Sequence, residues 1–182
     1  MIEIVPYKSS WPAEFEALSR QLQTAIGPWA LAIDHIGSTS VPGLSAKDVI
    51  DVQVTVNSLD APIELALNAL GFERKSHILG DHRPPGRDDL TEEELEKHFY
   101  HKAERKVNLH IRVKGRFNQH YPLLCRDYLR THPLAAKAYG VVKQQLAKYF
   151  PDNADAYYDI KDPVFDIIME GAKAWENSKI RI

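Results

Sequence analysis

Apolar positions recur along this chain with two different periods. Phe15, Leu18, Leu22 and Ile26 fall three or four residues apart, the spacing of one helix face. Ser10 and Pro12 open that run and Gly27-Pro28 closes it, so a first helix is predicted over roughly residues 10–26. The stretches IEIVPY (residues 2–7), ALAIDHIG (30–37) and VIDVQVTV (49–56) instead read as strands. In the third, Ile50, Val52, Val54 and Val56 share one face, and Asp51, Gln53 and Thr55 the other. Residues 58–71 predict a helix ended by Gly71, and FERKS (72–76) a short strand. HFYHKA (98–103) and KVNLHIRV (106–113) predict a strand pair around a polar turn. Leu109, Ile111 and Val113 alternate there with Asn108, His110 and Arg112. After residue 115 the pattern is helical, in three segments separated by Pro133 and Pro151. Between the two halves of the strand region lies a polar stretch, residues 77–97, with Pro84-Pro85-Gly86 and no steady period. It predicts a long surface loop with one helical turn, where Thr91 and Glu94 match a capping box. Taken together the pattern predicts an α+β fold in one domain, residues 1–182. A mixed sheet with helices on one face occupies residues 1–115, and a helical part 116–182.

The join between the second and third strands is unusual. A tight turn would suffice, yet eleven residues rich in Gly, Ser and Thr, GSTSVPGLSAK, fill positions 37–47. Such a loop can present backbone N–H groups and hydroxyls to an anion. Ser38, Thr39, Ser40 and Ser45 are the donors, Gly37 and Gly43 permit close approach, and Lys47 adds charge. An ordinary irregular turn uses the same residue types. It is not a P-loop, because neither Ser nor Thr follows the lysine. Asp51 lies on the strand just after this loop, where a carboxylate can bring Mg²⁺ to a bound phosphate. If both polar-faced strands lie in one sheet, Asp51, Gln53, His110 and Arg112 share a surface. The alternation around His35 leaves its face open.

The chain has 182 residues, 44% apolar and 26% charged, with a net charge of −2. This is ordinary globular composition, without the basic field that nucleic-acid binding calls for. A single cysteine, Cys125, excludes an intrachain disulfide and a cysteine-rich zinc site, and reads as a small core residue. The first fifteen residues do not form a signal peptide, and no window reaches the ~20 apolar residues of a membrane span. The expectation is a soluble cytoplasmic protein with no membrane partner; its oligomeric state is not encoded in any pattern.

The stretch from Asp34 to Val54, with NLHIRV, CRDYLRTHPLAAKAYGVVKQQLAKYF and YYDIKDPVF, resembles the GrpB family over nearly the whole chain. GrpB proteins have the nucleotidyltransferase fold of the polymerase-beta superfamily. The resemblance implies that Gly37 and Ser38 match the Gly-Ser that holds a triphosphate, and that Asp51 matches the first metal-binding carboxylate. Gln53 falls where active superfamily members have the second, and His110 near the place of the third. A neutral amide and an imidazole do not supply the negative charge with which carboxylates hold two metal ions. Asp51, His110 and His35, with Asp34 as a further carboxylate, would instead suit zinc, manganese or iron; a plain His110–Asp51 hydrogen bond is the alternative.

The remaining candidates are cations and aromatics. Lys47, Arg105, Lys106, Arg112, Arg126 and Lys161 are available to an anion, and in the resemblance the segment of Lys161 packs toward the cleft. Tyr100 or Tyr157 offers a face to a base. His77 and His82 flank the polar loop as ends of a lid. Three functions follow as expectations. The first is binding of a nucleotide or other phosphorylated small molecule, with nucleotidyl or phosphoryl transfer through Asp51 and His110 and a divalent metal (Mg²⁺ or Mn²⁺, with Zn²⁺ as a variant). Gly37, Ser38, Thr39, Ser40, Lys47, Gln53, Arg112 and Lys161 contact the ligand in that case. The second is a non-catalytic binding or accessory module, and the third a hydrolase or isomerase with a metal on His35, Asp51 and His110.

Overall fold

A computed structural model describes residues 1–180. Five strands form one mixed sheet: β1 (Ala32–Ile36), β2 (Ile50–Val56), β3 (Glu73–Arg74), β4 (His98–Lys102) and β5 (Val107–Val113). Their spatial order is β1-β2-β5-β4-β3, with β2 and β5 parallel and every other pair antiparallel. The expected α+β class and the strand pair around residues 103–106 are both present.

The period-2 alternation of β2 and β5 divides the sheet into two unlike surfaces. Val52, Val54, Leu109 and Ile111 are fully buried against α1 (Trp11–Ile26) and α2 (Glu64–Ala69), with Trp11, Leu22, Ile26 and Leu67 facing them. Each such side chain contributes ~1.5–3 kcal/mol of apolar burial, which makes this the main core. The start of α1 is tied down by polar contacts. The Trp11 indole N–H donates to Asp48 (2.9 Å), and Arg105 bridges Glu14 and Asp48 at 2.6 and 2.8 Å. Arg105, expected as a ligand cation, therefore serves the far side of the sheet. Ser10 occupies the N-cap position, but its hydroxyl donates to Glu14 rather than accepting a backbone N–H.

The helical part comprises α4 (Phe117–Thr131), α5 (Pro133–Tyr149) and α6 (Ala154–Ile180). Pro133 opens α5 and Asn153 caps α6 by accepting the Ala156 N–H. Leu124, Cys125, Met169 and Ala172 form its core, and burial pushes the Cys125 thiol up to about 12. Val41 and Leu44, from the Gly/Ser/Thr loop, insert among Leu129, Ala136 and Tyr139. That apolar anchor, not a tight turn, explains the length of the loop: it spans from the sheet to the helices and back.

Several expected elements shrink. Residues 2–7 form only an isolated bridge, Val5 with Ala46, because Pro6 has no N–H and Ile2 and Ile4 pack instead on Leu146, Ala147 and Tyr157. The helix expected over 58–71 is confined to Glu64–Ala69, after a turn in which Ser58 Oγ accepts the Asp60 N–H. Residues 77–97 carry ordered contacts to the body of the protein. The Asp81 N–H bonds to the Leu95 carbonyl and the Lys97 N–H to Leu79, while Leu90 and Leu95 are buried. α3 (Glu92–Leu95) carries both bonds of the Thr91–Glu94 capping box.

Leu109→Ala removes a fully buried side chain from the middle strand and is expected to cost ~2–5 kcal/mol, whereas Leu65→Ala, at a position 85% exposed, changes stability by less than ~0.5 kcal/mol. Urea unfolding of the two variants measures both.

Candidate functional site

The polar surface of the sheet begins at the loop. Gly37 has φ +69°, and a Cβ there would lie 2.5 Å from Asp51 Oδ2. Only glycine meets both demands: a backbone region closed to L side chains and room for a carboxylate. Residues 38–40 then form one 3-10 turn that carries Ser38 into a cleft between the sheet and the helical part. Asp51 accepts a hydrogen bond from Asn108 Nδ2 (2.9 Å), its partner across the parallel β2–β5 pair. Burial pushes the Asp51 carboxyl up, opposed by that bond and by Lys47, Lys161 and Arg112.

Deeper along the same surface, Arg112 is the hub. Its Nε and Nη2 grip both oxygens of Asp81 at 2.8 and 2.9 Å, and Nη1 donates to Gln53 Oε1 at 2.7 Å. Gln53, fully buried, passes its own N–H to the Gln119 carbonyl of α4 (3.0 Å). Lys97 is the second cation on Asp81. Burial pushes the Asp81 carboxyl up, but Arg112 and Lys97 outweigh it and hold the carboxyl far below the usual range. His110 Nδ1 receives Lys97 Nζ at 3.3 Å and Arg112 Nη2 at 3.2 Å. A nitrogen facing two cationic donors must be an acceptor, which places the ring proton on Nε2. Burial, Arg112 and Lys97 keep His110 neutral well below the ordinary imidazole range.

The opposite wall of the cleft comes from α5 and α6. Lys143 of α5 is 3% exposed and donates to Ser38 Oγ (2.7 Å) and to the Ser45 carbonyl (2.6 Å). Gly140, one turn earlier, lets the loop approach: a Cβ there would stand 3.3 Å from Leu44. Lys47 donates to the Tyr158 hydroxyl and lies over that ring at 4.5 Å; Lys161 lies over the same ring at 5.4 Å and pairs with Asp162. The cleft has a volume of about 460 Å³, with Tyr121, Tyr139, Tyr157 and Phe165 among its walls. Six cationic side chains (Lys47, Lys97, Arg112, Arg126, Lys143 and Lys161) line it against three carboxylates, Asp51, Asp81 and Asp162. The cleft is locally positive in a chain whose net charge is −2.

The structure thus brings Gly37, Ser38, Thr39, Lys47, Asp51, His110, Arg112 and Lys161 to one cleft. It separates others. His35 pairs with Val52, so it projects to the apolar face, opposite Asp51 and His110. There it stacks on Phe15 at 4.7 Å and bonds to Thr39 Oγ1, and burial with Arg130 and Arg126 brings it down to about 4. Asp34 takes the polar face but pairs with Arg126. Ser40 is buried and turns its hydroxyl back to the Gly37 carbonyl. Tyr100 lies in the apolar core. Gln53 and Arg112 direct most of their hydrogen-bonding groups to each other, to Gln119, to Asp81 and to His110, and Arg112 also lines the cleft. Asp51 bonds to Asn108, not to His110.

A metal centre built from protein side chains alone does not fit this donor set. Among the described residues no group of three His, Cys, Asp or Glu side chains is placed to hold an ion. Asp51 stands alone, Gln53 is neutral and tied to a guanidinium, and the lone pair of His110 faces two cations. Lys143, Lys97, Asp81 and Asn108 were not among the expected site residues. Lys143 had a legible signal, since Ala136, Tyr139, Gly140, Lys143, Leu146 and Ala147 form the buried stripe of α5 and a lysine breaks it.

Residues 1–171 match the family model described as GrpB protein. A protein named dephospho-CoA kinase from Mycolicibacterium paratuberculosis is 37% identical over 192 residues, covering 97% of this chain and 47% of that protein. The UPF0157 protein YqkA of Bacillus subtilis is 32% identical over 180 residues, covering 98% and 49%. The chain therefore spans about half the length of these curated relatives. The crystal structure of the conserved protein GrpB from Enterococcus faecalis superposes with a TM-score of 0.77 at 28% identity, over 95% of this chain and 99% of that one. A cytoplasmic RNA terminal U-transferase superposes with a TM-score of 0.52 at 17% identity, over 82% of this chain and 43% of that one, a likeness of fold alone. No helix among the described residues is long and apolar enough to cross a membrane.

Asp81→Asn leaves Arg112 and Lys97 buried without a counter-charge and is expected to cost ~3–5 kcal/mol in denaturant unfolding. Histidines dominate the pH response in the mildly acidic range. As pH drops below about 6.5, His35 (until about pH 4) and His110 take protons in the unfolded chain before the folded one, so unfolding free energy should decrease as pH decreases, by up to ~1.4 kcal/mol per unit for each. Asp51, shifted the other way, offsets part of that. His110→Gln should reduce the slope of the profile below about pH 6.5; an unchanged slope would contradict a neutral, buried His110.

Proposed function

The chain belongs to the GrpB family, and on that premise we propose that its cleft binds a phosphorylated small molecule, a nucleotide being the favoured class, through protein cations instead of a pair of metal ions. The observation that carries this is the convergence of Lys47, Lys143 and Lys161 on Ser38 and Asp51 from three separate elements. Cations and a hydroxyl on a loop beginning at a positive-φ glycine suit phosphate oxygens. The aromatic walls suit a base or another flat apolar group.

Gln53, and near it His110, take the places where active superfamily members would carry further metal-binding carboxylates. A binding or accessory module follows more directly than a metal-dependent transferase. The share of the longer, dephospho-CoA kinase-named relatives that this chain matches is compatible with such a module inside a larger protein. Nucleotidyl transfer is the second reading, favoured by the fold likeness and by Asp51 beside the loop.

Calorimetric titration with ATP in EDTA should show binding. Lys47→Ala and Lys161→Ala should each weaken it by about 5- to 30-fold, the loss of one charge-assisted contact. Asp51→Ala should retain it. Heat only in the presence of Mn²⁺, abolished by Asp51→Ala, would favour the transferase instead. No heat with ATP, GTP or tripolyphosphate under either condition would defeat both.

A further inference from the structure

Three cations among the described residues are buried: Lys97, Arg112 and Lys143. Asp81 compensates the first two. Among the described residues Lys143 has no carboxylate within ion-pair distance. Its partners are one hydroxyl and one carbonyl, Ser38 Oγ and the Ser45 oxygen. A neutral amine has two N–H donors, and these two acceptors satisfy it. Protonation adds a third donor, for which the described residues offer no hydrogen-bond acceptor beyond the face of the Tyr139 ring, and which the cleft leaves to whatever occupies it.

The electrostatic surroundings agree. Burial, then Lys161 and Lys47, push Lys143 down to about 7, with Asp51 opposing them. The charged and titratable groups around it are Lys47 of the loop, Asp51 of β2, Lys161, Asp162 and Tyr157 of α6, and Tyr139 of its own helix, whose ring lies 4.7 Å from Nζ. His82 and His110 line the far side; His82 is paired with Asp166, and His110 is held neutral.

We propose that Lys143 makes this a proton-linked anion site: a tetrahedral dianion such as a terminal phosphoryl group docks on Ser38 and Lys143, and one proton is taken up onto Nζ as it binds. This deepens the reading of the cleft as a phosphate site and rests on it. The sign is fixed by the free amine. Below about pH 7 it is already charged and binding takes up no proton. Above that, each anion must bring one in, so affinity falls by up to about tenfold per pH unit.

Sulfate is the probe, because it is a dianion throughout the relevant range and does not itself titrate. Full-length protein carrying ¹³Cε-labelled lysine is titrated from about pH 6 to about pH 9 with and without saturating sulfate, and sulfate affinity is measured across the same range. The lysine resonance missing from Lys143→Arg identifies the group. The expected result is a midpoint near neutrality in the free protein, raised by at least about one unit with sulfate, and affinity that weakens as pH rises. Lys143→Met should bind weakly at every pH, and Lys143→Arg should bind without the pH slope. A midpoint unmoved by bound sulfate, or a wild-type slope that survives in Lys143→Met, overturns the linkage while leaving the cleft an anion site. Failure of sulfate and ATP to bind at any pH overturns both. Should either variant misfold, the wild-type titration decides alone.

Discussion

The bidentate grip of Arg112 on Asp81 organises the polar half of this protein. It pins the long 77–97 segment to the middle of the sheet, orders Lys97 against the same carboxylate, and fixes Gln53 and through it α4. A pair buried this deeply stabilises little relative to an apolar substitute, because desolvation offsets most of its attraction. What it provides is a single arrangement. Arg112 Nε, Nη1 and Nη2 all have acceptors within the protein, and a shift of the loop would strand a charge in the interior.

That arrangement sorts the cleft's cations into two kinds. Arg112 and Lys97 are neutralised within the protein and act as scaffold. Lys47 and Lys161 sit on the Tyr158 ring, partly exposed, and Lys143 is buried with neutral partners only. The side chains able to answer an incoming anion are therefore those of the loop, α5 and α6, not those of the sheet. The same division leaves the charge pattern of a two-metal site incomplete: Asp51 is the one carboxylate of β2 on this surface, and Gln53, two residues on, is an amide bonded to a guanidinium.

A fold shared with a nucleotidyl-transferring enzyme says nothing by itself about chemistry, since function resides in the site and not in the architecture. In this member of the GrpB family a Gly-Ser step opens the loop and an aspartate stands on the following strand, while the neighbouring strand positions hold Gln53, Asn108 and His110.

Local pattern carried much of this protein. The period-2 runs of residues 50–56 and 107–113, the helical period of 11–26, Pro133 and Asn153 at helix starts, and the Thr91–Glu94 box are short-range constraints, fixed within a few residues of themselves. The Gly37–Ser38 step and Asp51 were legible for the same reason, as a turn and a strand that adjoin in the chain. Sequence alone did not decide which face of the sheet His35 takes, because both of its neighbours alternate ambiguously; the pairing with Val52 decided it. Nor did it show that Asp81 lies under Arg112, 31 residues away, or that Lys143 reaches Ser38 across 105. Those contacts depend on how the helical part and the long loop close over the sheet. That closure is set by packing and by the need of each buried charge for a partner, neither of which is written in any local window.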